Sequence, residues 1–235
     1  MTKRPALILR NAEGKYDRVA IYKNKKAAEP IIVLGDEFAA NVLDELSKDE
    51  ATLKVNRNMR LLEIAEDGSE VRIWLSPAKD IEKDVLWYPS YLKKSVVDAV
   101  GPAPCTSMAE ARNEGLVKTA LLPSWDVYSQ WQADALQYLI EKEGYQVIFS
   151  HLHNVDACGH LFWYLSKDRP GIGNHGALYE EAIEWTYRCT DTYIGSFLHY
   201  LDEGWTILII SDHGLLVPPE EDIPEAEPSL SEEDI

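Results

Sequence analysis

The chain has 235 residues, a formal net charge of −17 and 46% apolar residues. That apolar content supports a packed core and excludes a wholly disordered chain. The acidity argues against nucleic-acid binding through a basic surface. No apolar run reaches the length of about 18 residues that a membrane span needs. Three widely spaced cysteines indicate no disulfide framework, so a reducing, cytoplasmic compartment is the default expectation.

Residues 1–118 are predicted to form a β-rich α+β region. Short runs of strand-forming residues recur there: Ala6–Arg10, Arg18–Tyr22, Ile31–Leu34, Arg60–Ala65 and Val71–Leu75. Asn11–Gly14 and Glu66–Ser69 contain the residues that favour tight hairpin turns. We expect antiparallel hairpins in this region.

Three segments have apolar residues at helical spacing. The first is Asp36–Lys48, with Asp36 as its N-cap. The second begins at an N-capping Ser124, runs to about Glu143 and ends at Gly144. The third runs roughly from residue 177 to residue 202 and is ended by Gly204.

Residues 119–216 are predicted to form an α/β half. The apolar runs Tyr145–His151 and Thr206–Ser211 follow the second and third helices. Helices that alternate with fully apolar strands are typical of a parallel sheet with right-handed crossovers. Ligands bind at the carboxyl ends of such strands. The residues just after His151 and Ser211 are therefore the expected functional site.

The first of these two places carries the sequence Asn154–His160, NVDACGH. If a helix begins after Val155, the spacing puts Asp156 and His160 on one face. A carboxylate oxygen and an imidazole nitrogen are suitable ligands for a divalent metal. The alternative interpretation is that Asp156 caps the helix and His160 is an ordinary polar residue.

The second place carries Ser211–Gly214, SDHG. Adjacent residues of a strand point to opposite faces, so Asp212 and His213 can share a metal only if the chain turns there. Gly214 permits such a turn. The two Asp/His pairs together predict a two-metal hydrolase site.

Other polar residues near the motifs have less certain roles by pattern alone. His151 and His153 could donate hydrogen bonds to the metal ligands or be plain polar residues. Cys158 lies between the two ligands of the first pair and is interpreted as a small apolar filler. The acidic, proline-rich residues 217–235 are predicted to be a solvated tail or linker.

Asp-x-x-Gly-His followed by Ser-Asp-His-Gly resembles the type I phosphodiesterase/nucleotide pyrophosphatase family of the alkaline phosphatase superfamily. The resemblance covers about Ser124–Gly214 and includes the aromatic run Phe162–Tyr164. It implies an α/β fold with a mostly parallel, alkaline-phosphatase-like sheet flanked by helices. The β-rich region would then be an insertion or edge sheet.

The resemblance also implies a ligand set and a reaction. Asp156 and His160 would bind one divalent ion, and Asp212 and His213 a second, with zinc expected and manganese as the alternative. The substrate would be a small phosphate ester or nucleotide, attacked by a metal-activated hydroxyl of the enzyme.

Two parts of the family pattern are missing here. The family has an early Asp with a Thr or Ser nucleophile, and Asp36 with Thr106 or Ser107 matches that context poorly. It also has one more His downstream, and no His follows Gly214. We therefore expect an internal piece of a longer enzyme, inactive in isolation, whose parent could be exported. Its oligomeric state stays open.

Two other functions fit the sequence. A phosphomutase of the same superfamily shares both motifs, but it usually continues Asp-His-Gly with Asn, where this chain has Leu215. A non-catalytic binding module would use the motif residues as helix caps.

Overall fold

The computed structural model describes residues 3–48, 51–82, 87–166 and 176–214. The chain divides into two compact units, Met1–Ser150 and His151–Ile235. The predicted domain limits at 118/119 and 216/217 stay a prediction, and the predicted tail 217–235 lies outside the described residues. No helix in the described ranges is long and apolar enough to cross a membrane.

The first unit contains two antiparallel sheets. One has the order β1-β2-β3 and the other the order β4-β5-β6, with β7 paired to β5. The strands are β1 Ala6–Arg10, β2 Tyr16–Ile21, β3 Ile32–Leu34, β4 Ala39–Lys48, β5 Ala51–Ile64, β6 Val71–Leu75 and β7 Lys79–Asp80. All five predicted strands are present, and β1 and β6 have the predicted ends.

Both predicted hairpin turns are also confirmed. The Asn11 N–H donates to the Lys15 carbonyl (2.8 Å), and the Ala65 N–H donates to the Glu70 carbonyl (2.9 Å). Gly14 and Gly68 have φ values of 84° and 75°, which a residue without a Cβ adopts at little cost. These turns fix the strand register that buries a core of Val19, Ile21, Leu34, Val42 and Met59.

The predicted helix over Asp36–Lys48 is wrong, because residues 39–48 form strand β4. It pairs with β5 from Ala39↔Met59 to Lys48↔Ala51. Residues four apart share a face in a strand as well as in a helix, so the spacing of Val42 and Leu46 could not separate the two. Leu43 lies on the opposite face of β4 and is 56% exposed.

The first half of β5 was not predicted to be a strand, because its sequence is polar. Asn56 and Asn58 are fully buried there. The Asn56 Nδ2 donates to the Ala103 carbonyl and the Asn58 Nδ2 to the Cys105 carbonyl, both at 2.9 Å. These bonds give the buried Nδ2 groups acceptors that a strand pattern based on apolar alternation does not anticipate.

The helices of the first unit are α1 Tyr91–Val100, α2 Glu114–Leu116 and α3 Leu122–Glu141, with a 3-10 helix at Ala109–Arg112 and a π-helical turn at Val117–Leu121. Ser124 is not the N-cap of α3, because its hydroxyl donates to the Ala120 carbonyl inside the helical run (2.7 Å). Gly144, at φ 73°, follows the end of α3 as expected.

The second unit is a pair of packed helices, α4 Asn154–Leu165 and α5 Gly176–Gly195, followed by a 3-10 helix at Leu198–Glu203. Phe162, Cys158 and Tyr179 are buried in it, and the Phe162 and Tyr179 rings are 6.0 Å apart. The third helix, predicted to run to residue 202, ends earlier than predicted, at Gly195. Gly204, at φ 87°, ends the 3-10 helix instead.

The expected parallel, alkaline-phosphatase-like sheet is not seen, because in the described residues every strand pair is antiparallel. Residues 145–151 and 206–211 are neither strands nor helices. Val147, Phe149 and Leu208 are more than 80% exposed. A strand needs a neighbour for its hydrogen bonds, and the part of the chain that the structure describes provides none for these two segments.

Candidate metal centre

Helix α4 carries the first Asp/His pair. His153 occupies its N-cap position, and Asp156 lies three residues later, in the first turn. Asp156 is therefore not the cap of this helix. One turn further on, the His160 Nε2 lies 3.2 Å from the Asp156 Oδ1. The spacing of four residues brings the two side chains together on one face, as predicted.

The second pair reaches the same carboxylate. The His213 Nε2 lies 3.6 Å from the Asp156 Oδ1 and 3.7 Å from the Asp212 Oδ2. The His160 and His213 rings face each other with centroids 6.3 Å apart. The structure thus brings Asp156, His160 and His213 together. The Asp212 side chain is 75% exposed and approaches this cluster only at His213.

These separations can be compared with a metal site. Two ligands of one tetrahedral zinc ion, bound at about 2.0–2.1 Å, lie about 3.3 Å apart. The distance within the first pair, 3.2 Å from the Asp156 Oδ1 to the His160 Nε2, is close to that value, and the 3.6 Å to the His213 Nε2 brings the second pair beside it. As the side chains stand, no three His, Cys, Asp or Glu within the described ranges form a group that could hold an ion. The residues fit a divalent cation in donor chemistry and pairwise spacing, but not as a finished cage.

The electrostatics favour a positive charge at this place. The hydrogen bond with the Gly214 carbonyl, followed by the charges of Asp212 and Asp156, raises the pKa of His213. Several imidazoles surround one carboxylate, which compensates their charge when they are protonated. A bound divalent cation would be stabilised by the same carboxylate.

His153 lies beside this carboxylate, and His151 contacts His153. The His153 Nε2 is 3.2 Å from the Asp156 Oδ2, the oxygen that does not face His160. The His151 Nε2 is 2.9 Å from the His153 Nδ1. Of the two roles that the sequence left open, the geometry therefore favours hydrogen bonding to a proposed ligand over an unrelated surface position.

Asn154 supports the start of α4 and was missed by sequence reasoning. It is fully buried. Its Oδ1 accepts from the Val155 N–H (2.8 Å) and the Thr190 hydroxyl (3.1 Å), and its Nδ2 donates to the Thr186 carbonyl (3.4 Å). The only hint in the sequence is an Asn just before the Asp/His motif, since its partners on α5 are distant in the chain.

Cys158 faces away from the cluster, into the packing of α4 on α5. It is fully buried, and burial raises its pKa to about 12. A thiol that stays protonated is a poor metal ligand, because the thiolate is the binding form. The structure places this residue where an apolar filler belongs.

The two upstream candidates lie in the first unit. Asp36 is followed by strand β4 rather than by a helix. Thr106 lies in an irregular segment before the four-residue 3-10 helix Ala109–Arg112, and the neighbouring Ser107 hydroxyl accepts from the Ala109 N–H (3.1 Å). Neither residue starts an α-helix, which is the position that activates a hydroxyl nucleophile in the family pattern.

Clustered carboxylate and imidazole side chains are the donor set of metal-dependent hydrolases as a class. The family model for type I phosphodiesterase/nucleotide pyrophosphatase matches residues 64–224, more than half of the chain. The chain therefore belongs to the type I phosphodiesterase/nucleotide pyrophosphatase family, and both Asp/His pairs lie inside the match. At the level of the family this indicates phosphoric-ester hydrolysis. No curated protein and no solved structure matches the chain.

Proposed function

We propose that this chain supplies the metal-binding part of a phosphodiesterase or nucleotide pyrophosphatase that needs two divalent ions. One observation supports it above all others. Two motifs that are far apart in sequence converge, so that the His160 and His213 Nε2 atoms lie 3.2 and 3.6 Å from the same Asp156 oxygen. A merely structural pair of motifs has no reason to direct both imidazoles at one carboxylate.

In this proposal Asp156 and His160 hold one ion, and Asp212 and His213 hold the other. Zinc suits the mixed oxygen and nitrogen donors, and manganese is the alternative. When bound, the ions would polarise a phosphoryl oxygen and lower the pKa of a hydroxyl nucleophile. The Asp156 carboxylate offsets the positive charge of the site. The proposed substrate is a small phosphate ester or nucleotide.

We further propose that the residues described here act within a larger, cytoplasmic enzyme. Each ion would have only two protein ligands from this chain, whereas zinc sites use three or four. Residues 145–150 and 206–211 expose apolar side chains that further strands could cover. The three widely spaced cysteines favour a reducing compartment by default, and export of the larger enzyme is the alternative.

The test is zinc binding by the isolated chain, with a phosphodiesterase assay beside it. Weak zinc binding and little or no turnover are expected. His160→Ala and His213→Ala should each weaken zinc binding. His199→Ala is the matched control, because His199 stacks on Tyr200, with ring centroids 4.0 Å apart, in the 3-10 helix that follows α5. Unchanged zinc binding in both test variants would overturn the metal assignment. Rapid phosphodiesterase turnover by the isolated chain would overturn the proposal that it acts within a larger enzyme.

A further inference from the structure

We propose that His153 is a positioning residue that fixes the orientation of the Asp156 carboxylate, and that His151 holds His153 in place. This inference rests on the proposed function, because it concerns how a proposed metal ligand is held. Neither histidine belongs to the two Asp/His pairs. Their role follows from two contacts that run in series from His151 to His153 to Asp156.

The first contact is local to the start of α4. His153 is the N-cap residue, and Asp156 lies three positions later, so their side chains meet across the first turn. The His153 Nε2 approaches the Asp156 Oδ2 at 3.2 Å. A carboxylate oxygen accepts hydrogen bonds, so the proposal makes the His153 Nε2 the donor at this contact.

The second contact then has a defined direction. A neutral imidazole with its proton on Nε2 has a bare Nδ1, which accepts. The His151 Nε2 lies 2.9 Å from the His153 Nδ1, and in that tautomer of His153 it is the donor. The proposal therefore assigns one tautomer to His153, with the proton on Nε2.

The consequence concerns the other oxygen of Asp156. With the Oδ2 held by His153, the carboxylate cannot rotate freely, and its Oδ1 stays directed at His160 and His213. The Asp156 side chain is 30% exposed, so packing alone does not fix it. Hydrogen bonds from residues outside the ligand set orient metal ligands in this way, and their removal costs about 10–100-fold in metal affinity.

The first experiment measures the zinc affinity of the full chain by competition with a chromophoric chelator. His153→Ala should weaken zinc binding about 10–100-fold, and His151→Ala should weaken it less. His153→Gln keeps an N–H donor and should recover part of the loss. His199→Ala is the control, and circular dichroism checks that each variant is folded.

The outcomes separate this inference from the proposed function. If His160→Ala loses zinc binding while His153→Ala binds as tightly as the wild type, the positioning role is wrong and the metal assignment stands. If His153→Gln binds no better than His153→Ala, hydrogen-bond donation is not what His153 supplies. If neither His160→Ala nor His213→Ala changes zinc binding, the proposed function itself fails.

A second readout needs no metal. Long-range ¹H–¹⁵N spectra of the metal-free chain distinguish protonated from bare imidazole nitrogens. We expect a bare Nδ1 and a protonated Nε2 for His153. The opposite tautomer, or rapid exchange between the two, would overturn the proposed role even if zinc affinity changed.

Discussion

Replacement of Asn154 by alanine should destabilise the helix pair that carries Asp156 and His160. Asn154 is fully buried and joins α4 to α5 through the Thr190 hydroxyl at 3.1 Å and the Thr186 carbonyl at 3.4 Å. Its Oδ1 also accepts from the Val155 N–H at 2.8 Å. The alanine variant removes all three contacts and leaves buried polar groups without this partner.

The magnitude follows from the quality of these bonds. Each intramolecular hydrogen bond contributes about 0.5–1.5 kcal/mol net, and buried groups left unsatisfied cost more. Two well-formed bonds and one long one give a loss of about 2–3 kcal/mol in the free energy of unfolding. Thr190→Val removes one of the three and should cost about 1 kcal/mol.

The assay is urea unfolding followed by circular dichroism, with Asp191→Ala on the exposed side of α5 as the control. The control should change stability by less than about 0.5 kcal/mol. The double variant Asn154→Ala/Thr190→Val should lose less than the sum of the single losses, because the two residues share a bond. A loss below about 0.5 kcal/mol for Asn154→Ala, or strict additivity, would refute the reasoning.

Three further predictions concern other parts of the molecule. Burial raises the pKa of Cys158 from 9.0 to about 12. Iodoacetamide at pH 8 should therefore modify this thiol ~10³-fold more slowly in the folded than in the unfolded chain. Because the folded-state pKa is raised, the contribution of Cys158 to stability is complete below pH 9 and is lost as the pH rises towards 12. An equally fast reaction in both states would contradict its burial. In thermal unfolding, Gly68→Ala should lower the stability of the first unit by about 1 kcal/mol more than Gly14→Ala does. Both glycines have positive φ, but only a Cβ at Gly68 would meet the Tyr16 ring, at 2.8 Å. Equal losses of stability would mean that the ring moves aside freely. Ile209→Lys should reduce light scattering by the concentrated chain more than Leu201→Lys does, because residue 209 is 70% exposed in an apolar segment that is not part of a sheet. The reverse order would contradict association through that segment.

The sequence predicted the fold where local pattern and turn chemistry decide it. Strands β1 and β6 have the predicted ends because alternating residues flank well-marked turns. Asp36–Lys48 was predicted wrongly because the spacing of its apolar residues is compatible with both a helix and a strand. Residues 145–151 and 206–211 have strand-like sequences, but a strand forms only with a neighbour, and a local pattern does not specify that neighbour.

The candidate site divides in the same way. The contact between Asp156 and His160 follows from a spacing of four residues on a helix. The approach of His213 to the same oxygen depends on where the chain returns after α5, and the motifs only hint at it. The support from Asn154 and His153 could not be predicted, because hydrogen bonds between side chains depend on tertiary packing rather than on residue type.

Zinc titration followed by the imidazole resonances of the individual histidines tests the central claim most directly. If the two motifs form one two-metal centre beside Asp156, with His160 on one ion and His213 on the other, the signals of both histidines should shift as zinc is added, while those of His199 stay fixed. Movement of only one of the two, or of neither, would contradict a shared centre.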